Sequence, residues 1–236
     1  MADMTIRQVS MAFPGETVTV STVLFDHDGT LVDTIAGLVA GHNEVAKHFG
    51  RSALTREDVV QRMASGGGFR IMSDLYGEKR AEEALRLFQQ TVGQARKKSI
   101  SPMPGMERMI KKLSGLQIAM GIVSNANTEM LNDEVDRLGL RTYFPVVIGA
   151  DEAAKNKPAP DPLYLALERL GLSAEHIKTT IIVGDSAPDL GAAQAAGCHA
   201  ILIHESGAAP DGYAPIAVFR SCNDFADFLE TTFPPS

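Results

Sequence analysis

The chain has 236 residues, 44% hydrophobic and 22% charged, which suits a globular protein of one large domain or one domain plus a small one. A formal net charge of -7, with Arg96-Lys97-Lys98 as the richest basic cluster, argues against a nucleic-acid partner, which would need a basic face. No stretch reaches the roughly 18 apolar residues of a membrane span, Met1 to Ser21 holds no apolar run of signal-peptide length, and Cys198 and Cys222 lack CxxC spacing, so a cytoplasmic protein that neither spans a membrane nor carries a zinc or redox site is expected.

The first predicted element is a strand over Thr17–Phe25 (TVTVSTVLF), rich in β-branched and aromatic residues and more buried towards its end. The polar turn Asp26-His27-Asp28-Gly29-Thr30 follows at once. From about Thr34 to Ser99 only helical patterns occur; Ile35–Phe49, Arg56–Met63 and Arg80–Lys97 read as three of the helices, and Gly66-Gly67-Gly68 interrupts them. This is a helical insertion bounded by Asp33-Thr34 and by Ser101-Pro102-Met103-Pro104-Gly105. It divides the chain into a core of residues 1–32 and 101–236 and a helical cap of residues 33–100. Further on, strands are predicted at Gln117–Val123, Thr179–Val183 and Ala200–Ile203, with weaker candidates at Val146–Ile148 and Ile216–Phe219. Helical patterns at Glu107–Leu113, Glu129–Leu138, Pro162–Leu170, Leu190–Ala196 and Asn223–Leu229 alternate with them. Such alternation predicts an α/β protein with a parallel sheet covered on both faces, and ligands at the carboxyl ends of its strands.

Polar groups follow the predicted strands. Asp26 and Asp28 follow Val23-Leu24-Phe25, Ser124-Asn125 follows Gly121-Ile122-Val123, and Asp185 and Asp189 follow Ile181-Ile182-Val183-Gly184; Lys157, in Lys157-Pro158-Ala159-Pro160-Asp161, is counted as a fourth strand-end group. In a parallel sheet these ends converge on one edge. Carboxylates gathered there repel one another, and a cation relieves the repulsion. Oxygen ligands select a hard ion, and Mg²⁺ suits a site of few carboxylates and a phosphate. Lys157 and the ion would neutralise a transferring phosphoryl group, Ser124 would donate to it, and Gly29 would let the backbone turn tightly beside it. Asp26 and Asp28, two residues apart, can reach one pocket. One carboxylate can attack phosphorus, and the other can protonate the leaving oxygen and later deprotonate water.

Taken singly, each feature has a plainer reading. Asp28-Gly29 is a common turn dipeptide, Ser124-Asn125 caps a helix, an isolated Lys157 is solvated, and Asp189 is a helix-start charge. Gly66-Gly67-Gly68 with Phe69-Arg70 is either a loop over the site, with Arg70 reaching a substrate anion, or a turn before a helix. His42 and His48 read as packing or surface residues.

Together, Asp26-His27-Asp28-Gly29-Thr30-Leu31-Val32-Asp33 resembles the first motif of the haloacid dehalogenase superfamily. Ser124, Lys157 and Gly184-Asp185-Ser186-Ala187-Pro188-Asp189 are similar to its second, third and fourth motifs, in order, over about Val20 to Phe228. The resemblance implies a Rossmann-like three-layer core with an inserted all-helical cap, as in the phosphoglycolate phosphatase-like branch. It implies that Asp26 is nucleophile and Mg²⁺ ligand, Asp28 the acid/base with its main-chain carbonyl on the ion, Asp185 a further ligand, and Asp189 in or just outside the ligand set. Gly29, Thr30, Ser124, Asn125 and Lys157 are expected around the phosphate, with Lys157 also paired to Asp26. His27 departs from the apolar residue usual between the two aspartates and is expected to point away from them.

The implied reaction is hydrolysis of a small phosphorylated metabolite (phosphoglycolate, a sugar phosphate or a nucleotide) by a monomer or small homo-oligomer. A phosphoglucomutase-type transfer would use the same core residues, although Thr30-Leu31 resembles the phosphatase form more. Dehalogenation is disfavoured by Asp28. Phosphonoacetaldehyde hydrolysis would need a Schiff-base lysine in the cap, and Lys47 and Lys79 lie in no such motif. A binding or regulatory protein with a vestigial site is the remaining class, and the intact acidic set argues against it.

Overall fold

The computed structural model describes residues 6–65 and 68–234. It divides into two compact units, one formed by Met1–Val32 with Pro102–Ser236 and the other by Asp33–Ser101.

The first unit opens with a hairpin of β1 (Val9–Phe13) and β2 (Glu16–Val20), turned at Gly15, whose φ of 104° favours glycine. Alternation buries Val9, Met11, Phe13, Val18 and Val20. β3 (Thr22–Phe25) follows after a single residue. Sequence patterning joins β2 and β3 into one strand, Thr17–Phe25; the structure breaks it at Ser21. There the main chain changes partners, since Ser21 N–H donates to Thr179 O (2.9 Å) and Ser21 O accepts from Ala119 N–H (3.0 Å). Residues before Ser21 pair with β1, and residues after it join the central sheet.

The chain crosses to the second unit at β4 (Val32–Asp33). That unit contains α1 (Ile35–His48), α2 (Arg56–Ser65), α3 (Gly68–Tyr76) and α4 (Glu78–Ser99) among the described residues. Its core holds Val45, Met72, Tyr76, Ala81 and Ala84, with Phe49 and Phe88 packed against them. Gly37 and Gly41 let α1 approach α4 closely, because a Cβ at either would press on Arg96 or on Phe88 and Val92. α3 was not among the helices read from sequence. It starts on the glycine run, of which Gly66 and Gly67 lie outside the described residues.

The chain returns at β5 (Ser101–Pro102). Then follow α5 (Met106–Gly115), β6 (Ala119–Val123), α6 (Thr128–Arg137), β7 (Val146–Ile148) and α7 (Asp161–Arg169). β8 (Thr180–Gly184), α8 (Ala187–Ala196), β9 (His199–Ile203), β10 (Ala217–Phe219) and α9 (Cys222–Thr232) complete the unit. The sheet has six strands in the order β10-β9-β8-β3-β6-β7, all parallel. Every residue of β3, β6 and β8 is buried, which accounts for their unbroken apolar runs. Leu24 packs into one face with Val123 and Ile182, Leu163 and Leu167 of α7, and Leu190 of α8. Phe25, on the opposite side of the pleat, meets Phe144 edge-on with ring centroids 5.7 Å apart. The sheet is therefore the middle layer of an α/β core. β3 lies between β6 and β8, the position at which open α/β sheets form a crevice beyond their strand ends. No helix among the described residues is long and apolar enough to cross a membrane.

Candidate active site

The site is built at the carboxyl ends of β3, β6 and β8. Asp26 continues the sheet one residue past β3, its N–H donating to Val183 O (2.8 Å). The chain then folds into a tight loop. His27 O accepts from Leu31 N–H (3.0 Å) and Val32 N–H (3.1 Å), and Gly29 N–H donates to Val32 O (2.9 Å). Gly29 has φ 79°, and a Cβ there would collide with the Asp185 carboxylate. Glycine therefore serves both the left-handed turn and the close approach of two site loops. Asp28 is partly buried. Thr30 is fully buried, and its Oγ1 has no hydrogen-bond partner among the described residues.

Beyond β6, Ser124 N–H donates to Ile148 O (2.9 Å), and Ser124 Oγ accepts from Ala126 N–H (3.1 Å). Asn127 caps α6 by accepting from Met130 N–H (3.2 Å). Asn125 was expected at the phosphate; the structure gives its side chain to Lys157. Its Nδ2 donates to Lys157 O (2.9 Å), and its Oδ1 accepts from Lys157 N–H (3.0 Å). Both main-chain polar groups of Lys157 are thus held by one amide.

The Lys157 ammonium is buried and donates to Asp26 Oδ1 (2.7 Å), Asp189 Oδ1 (2.6 Å) and Val123 O (2.7 Å). An ammonium has three N–H donors, so all are engaged. A phosphoryl group beside it would meet its charge rather than a spare donor. Asp189 Oδ2 accepts from Ser186 N–H (3.2 Å) and Ser186 Oγ (2.8 Å). Asp189 is accordingly both a helix-start charge on α8 and a partner of Lys157.

Asp26, Asp185 and Asp189 each present a carboxylate oxygen, all within 4.8 Å of one another. Burial, followed by the neighbouring carboxylates, pushes Asp26 up to about 7 against the pull of Lys157. Asp185 is likewise pushed up to about 7, by burial first and then by the Asp189 charge. Burial opposes the charge on Lys157, but Asp26 and Asp189 outweigh it and hold the ammonium above its usual range. One ammonium does not neutralise three carboxylates. This surplus of hard oxygen donors suits a divalent cation.

Arg70 is exposed on α3 in the second unit. His42 is buried, with its ring 4.5 Å from that of Phe88, and His48 lies 3.5 Å from Glu83 on the surface. His27 is fully buried, with Nε2 3.0 Å from Glu134 Oε2. Sequence reasoning passed over Glu134. The available signal was an acidic residue on the apolar stripe of Leu131 and Val135, both buried on α6.

The model of the haloacid dehalogenase-like hydrolase family matches residues 23–203. Phosphoglycolate phosphatase of Escherichia coli is 30% identical over 88% of this chain and 91% of its own. Phosphoglycolate phosphatase of Yersinia pseudotuberculosis is 32% identical over 76% of this chain and 78% of its own. Among solved structures, a predicted phosphoglycolate phosphatase from Haemophilus somnus superposes with a TM-score of 0.68 at 24% identity, covering 90% of this chain and 98% of that one.

Proposed function

The chain belongs to the haloacid dehalogenase-like hydrolases and is a phosphatase of that family, and on that premise we propose that it hydrolyses a small phosphate monoester through an aspartyl-phosphate on Asp26, with Mg²⁺ bound. The observation that carries this reading is the Lys157 ammonium bridging Asp26 and Asp189 at 2.7 and 2.6 Å, with the Asp185 carboxylate in the same cluster. In the first step an Asp26 oxygen attacks phosphorus, the bond to the ester oxygen breaks, and Asp28 gives that oxygen a proton. In the second, Asp28 takes a proton from water as the water oxygen attacks the same phosphorus, and the Asp26 carboxylate leaves. Lys157 steadies Asp26 and offsets phosphoryl charge. Ser124 donates to a phosphoryl oxygen. Mg²⁺, held by Asp26, Asp185 and the Asp28 main-chain carbonyl, would supply the remaining positive charge. Asp189 acts by holding Lys157, its Oδ1 accepting from the ammonium while its Oδ2 accepts from Ser186 N–H and Oγ.

Phosphoglycolate is the first substrate to test, because the curated relatives matching most of the chain carry that activity in their names. Gly29 and Thr30 are assigned to the substrate side. The free thiols Cys198 and Cys222 suit a reducing compartment, and the cytoplasm is the location proposed. The test is a phosphatase screen over a metabolite library with and without Mg²⁺. Mg²⁺-dependent phosphate release, strongest on a small monoester, is expected. Isomerised sugar phosphate in place of free phosphate would favour the mutase reading instead.

A further inference from the structure

We propose that His27 and Glu134 form a positioning pair that fixes the Asp26–Asp28 loop relative to the Ser124 loop during phosphoryl transfer. The proposal rests on the reading of Asp26 as nucleophile. His27 Nε2 and Glu134 Oε2 lie 3.0 Å apart, with side-chain exposures of 0% and 1%. Since Nδ1 is unpartnered among the described residues, the proton is assigned to Nε2, which donates to the carboxylate.

His27 is also the main-chain hub of its loop, because its carbonyl accepts from both Leu31 and Val32. Displacing it therefore displaces Asp26 and Asp28 on either side. At the other end, Glu134 lies on α6, whose first turn is capped by Asn127 directly after Ser124-Asn125-Ala126. The pair is thus a side-chain tie between the loop carrying both proposed catalytic carboxylates and the helix that anchors the phosphoryl-binding loop. It joins residues 107 positions apart in the chain.

Stability alone does not account for a polar pair here. Apolar side chains of similar volume would fill the space without desolvating a carboxylate, and such replacements are often neutral or stabilising. What the hydrogen bond adds is direction, a single distance and angle between two loops. Attack on phosphorus is sensitive to that setting, since a shift of about 1 Å can cost ~100-fold in rate.

The experiment compares wild type, His27→Leu, His27→Gln and the double variant His27→Leu/Glu134→Met. His27→Leu alone removes a hydrogen-bond donor from a buried carboxylate and is expected to lower Tm. The double variant is expected to recover Tm but to keep kcat on p-nitrophenyl phosphate ~10-fold or more below wild type at unchanged KM. His27→Gln, which can place an N–H near the Nε2 position, is expected to restore kcat to within ~3-fold. A double variant that regained kcat together with Tm would overturn the proposal. Hydrogen exchange gives a readout without turnover. The Leu31 and Val32 amides should exchange faster in the double variant than in wild type at equal Tm, and unchanged exchange would also overturn the pair's role. A wild type without turnover on any phosphate ester would instead refute the phosphatase chemistry, leaving the exchange result to decide the pair.

Discussion

Lys157 gives its three donors to Asp26, Asp189 and the Val123 carbonyl, so the proposed nucleophile is held by one carboxylate oxygen. Replacing Asp26 by Asn keeps the shape but supplies an amide that cannot form the acyl-phosphate. Turnover should fall at least ~1,000-fold while the variant stays folded, as checked by steady-state kinetics and circular dichroism. The acidic surplus has its own signature. Asp26 and Asp185 titrate at about 7 in the fold but near 3.8 when unperturbed, burial being the main cause for each. Between those values the folded protein holds protons that the unfolded chain has released. Their contribution to stability is fully present below the unfolded value and is lost as pH rises through about 7. Metal-free protein should therefore lose Tm as pH rises from about 5 to about 8, and Asp185→Asn should flatten the fall. A Tm that rises across this window would contradict the assignment.

Each element that sets the site ends in a specific local device. The loop after β3 depends on Gly29, where a methyl group would meet both a left-handed backbone and the Asp185 carboxylate. Gly29→Ala should destabilise the protein by more than ~1 kcal/mol and lower kcat/KM ~100-fold, measured by urea unfolding and initial rates. The strands bearing Asp26, Ser124 and Asp185 were legible in the sequence because β3, β6 and β8 are unbroken buried apolar runs. The break at Ser21 was not, because β-branched residues stand on both sides of it and the change is one of main-chain partner. α3 escaped notice because it begins on a glycine run, a pattern that otherwise marks a turn. Asn125 reads from sequence as a cap or an anion contact; only the fold brings it to the Lys157 backbone. Lys157 lies well beyond the end of β7, so the structure does not place it at a strand end as the sequence reading has it, and its assignment leans on the family resemblance. The His27–Glu134 contact joins two distant segments that no local pattern connects.

At the scale of the whole molecule, a six-stranded parallel sheet gathers acidic groups from separate segments on one edge of a chain whose net charge is -7. An anionic ester would not settle beside that cluster without a cation. Chelation with EDTA should therefore abolish turnover, and Mg²⁺ should restore it. By linkage, Mg²⁺ should also raise Tm in a concentration-dependent way, reaching ~2.7 kcal/mol of added stability at 100 times its Kd. The gain should be larger for wild type than for Asp185→Asn. The central claim is that phosphoryl transfer passes through Asp26. Its most direct measurement is acid quenching of the enzyme during turnover of a ³²P-labelled phosphate ester, followed by peptide mapping. Label on the peptide containing Asp26, absent from Asp26→Asn, is the predicted result; steady turnover with label on any other residue would contradict it.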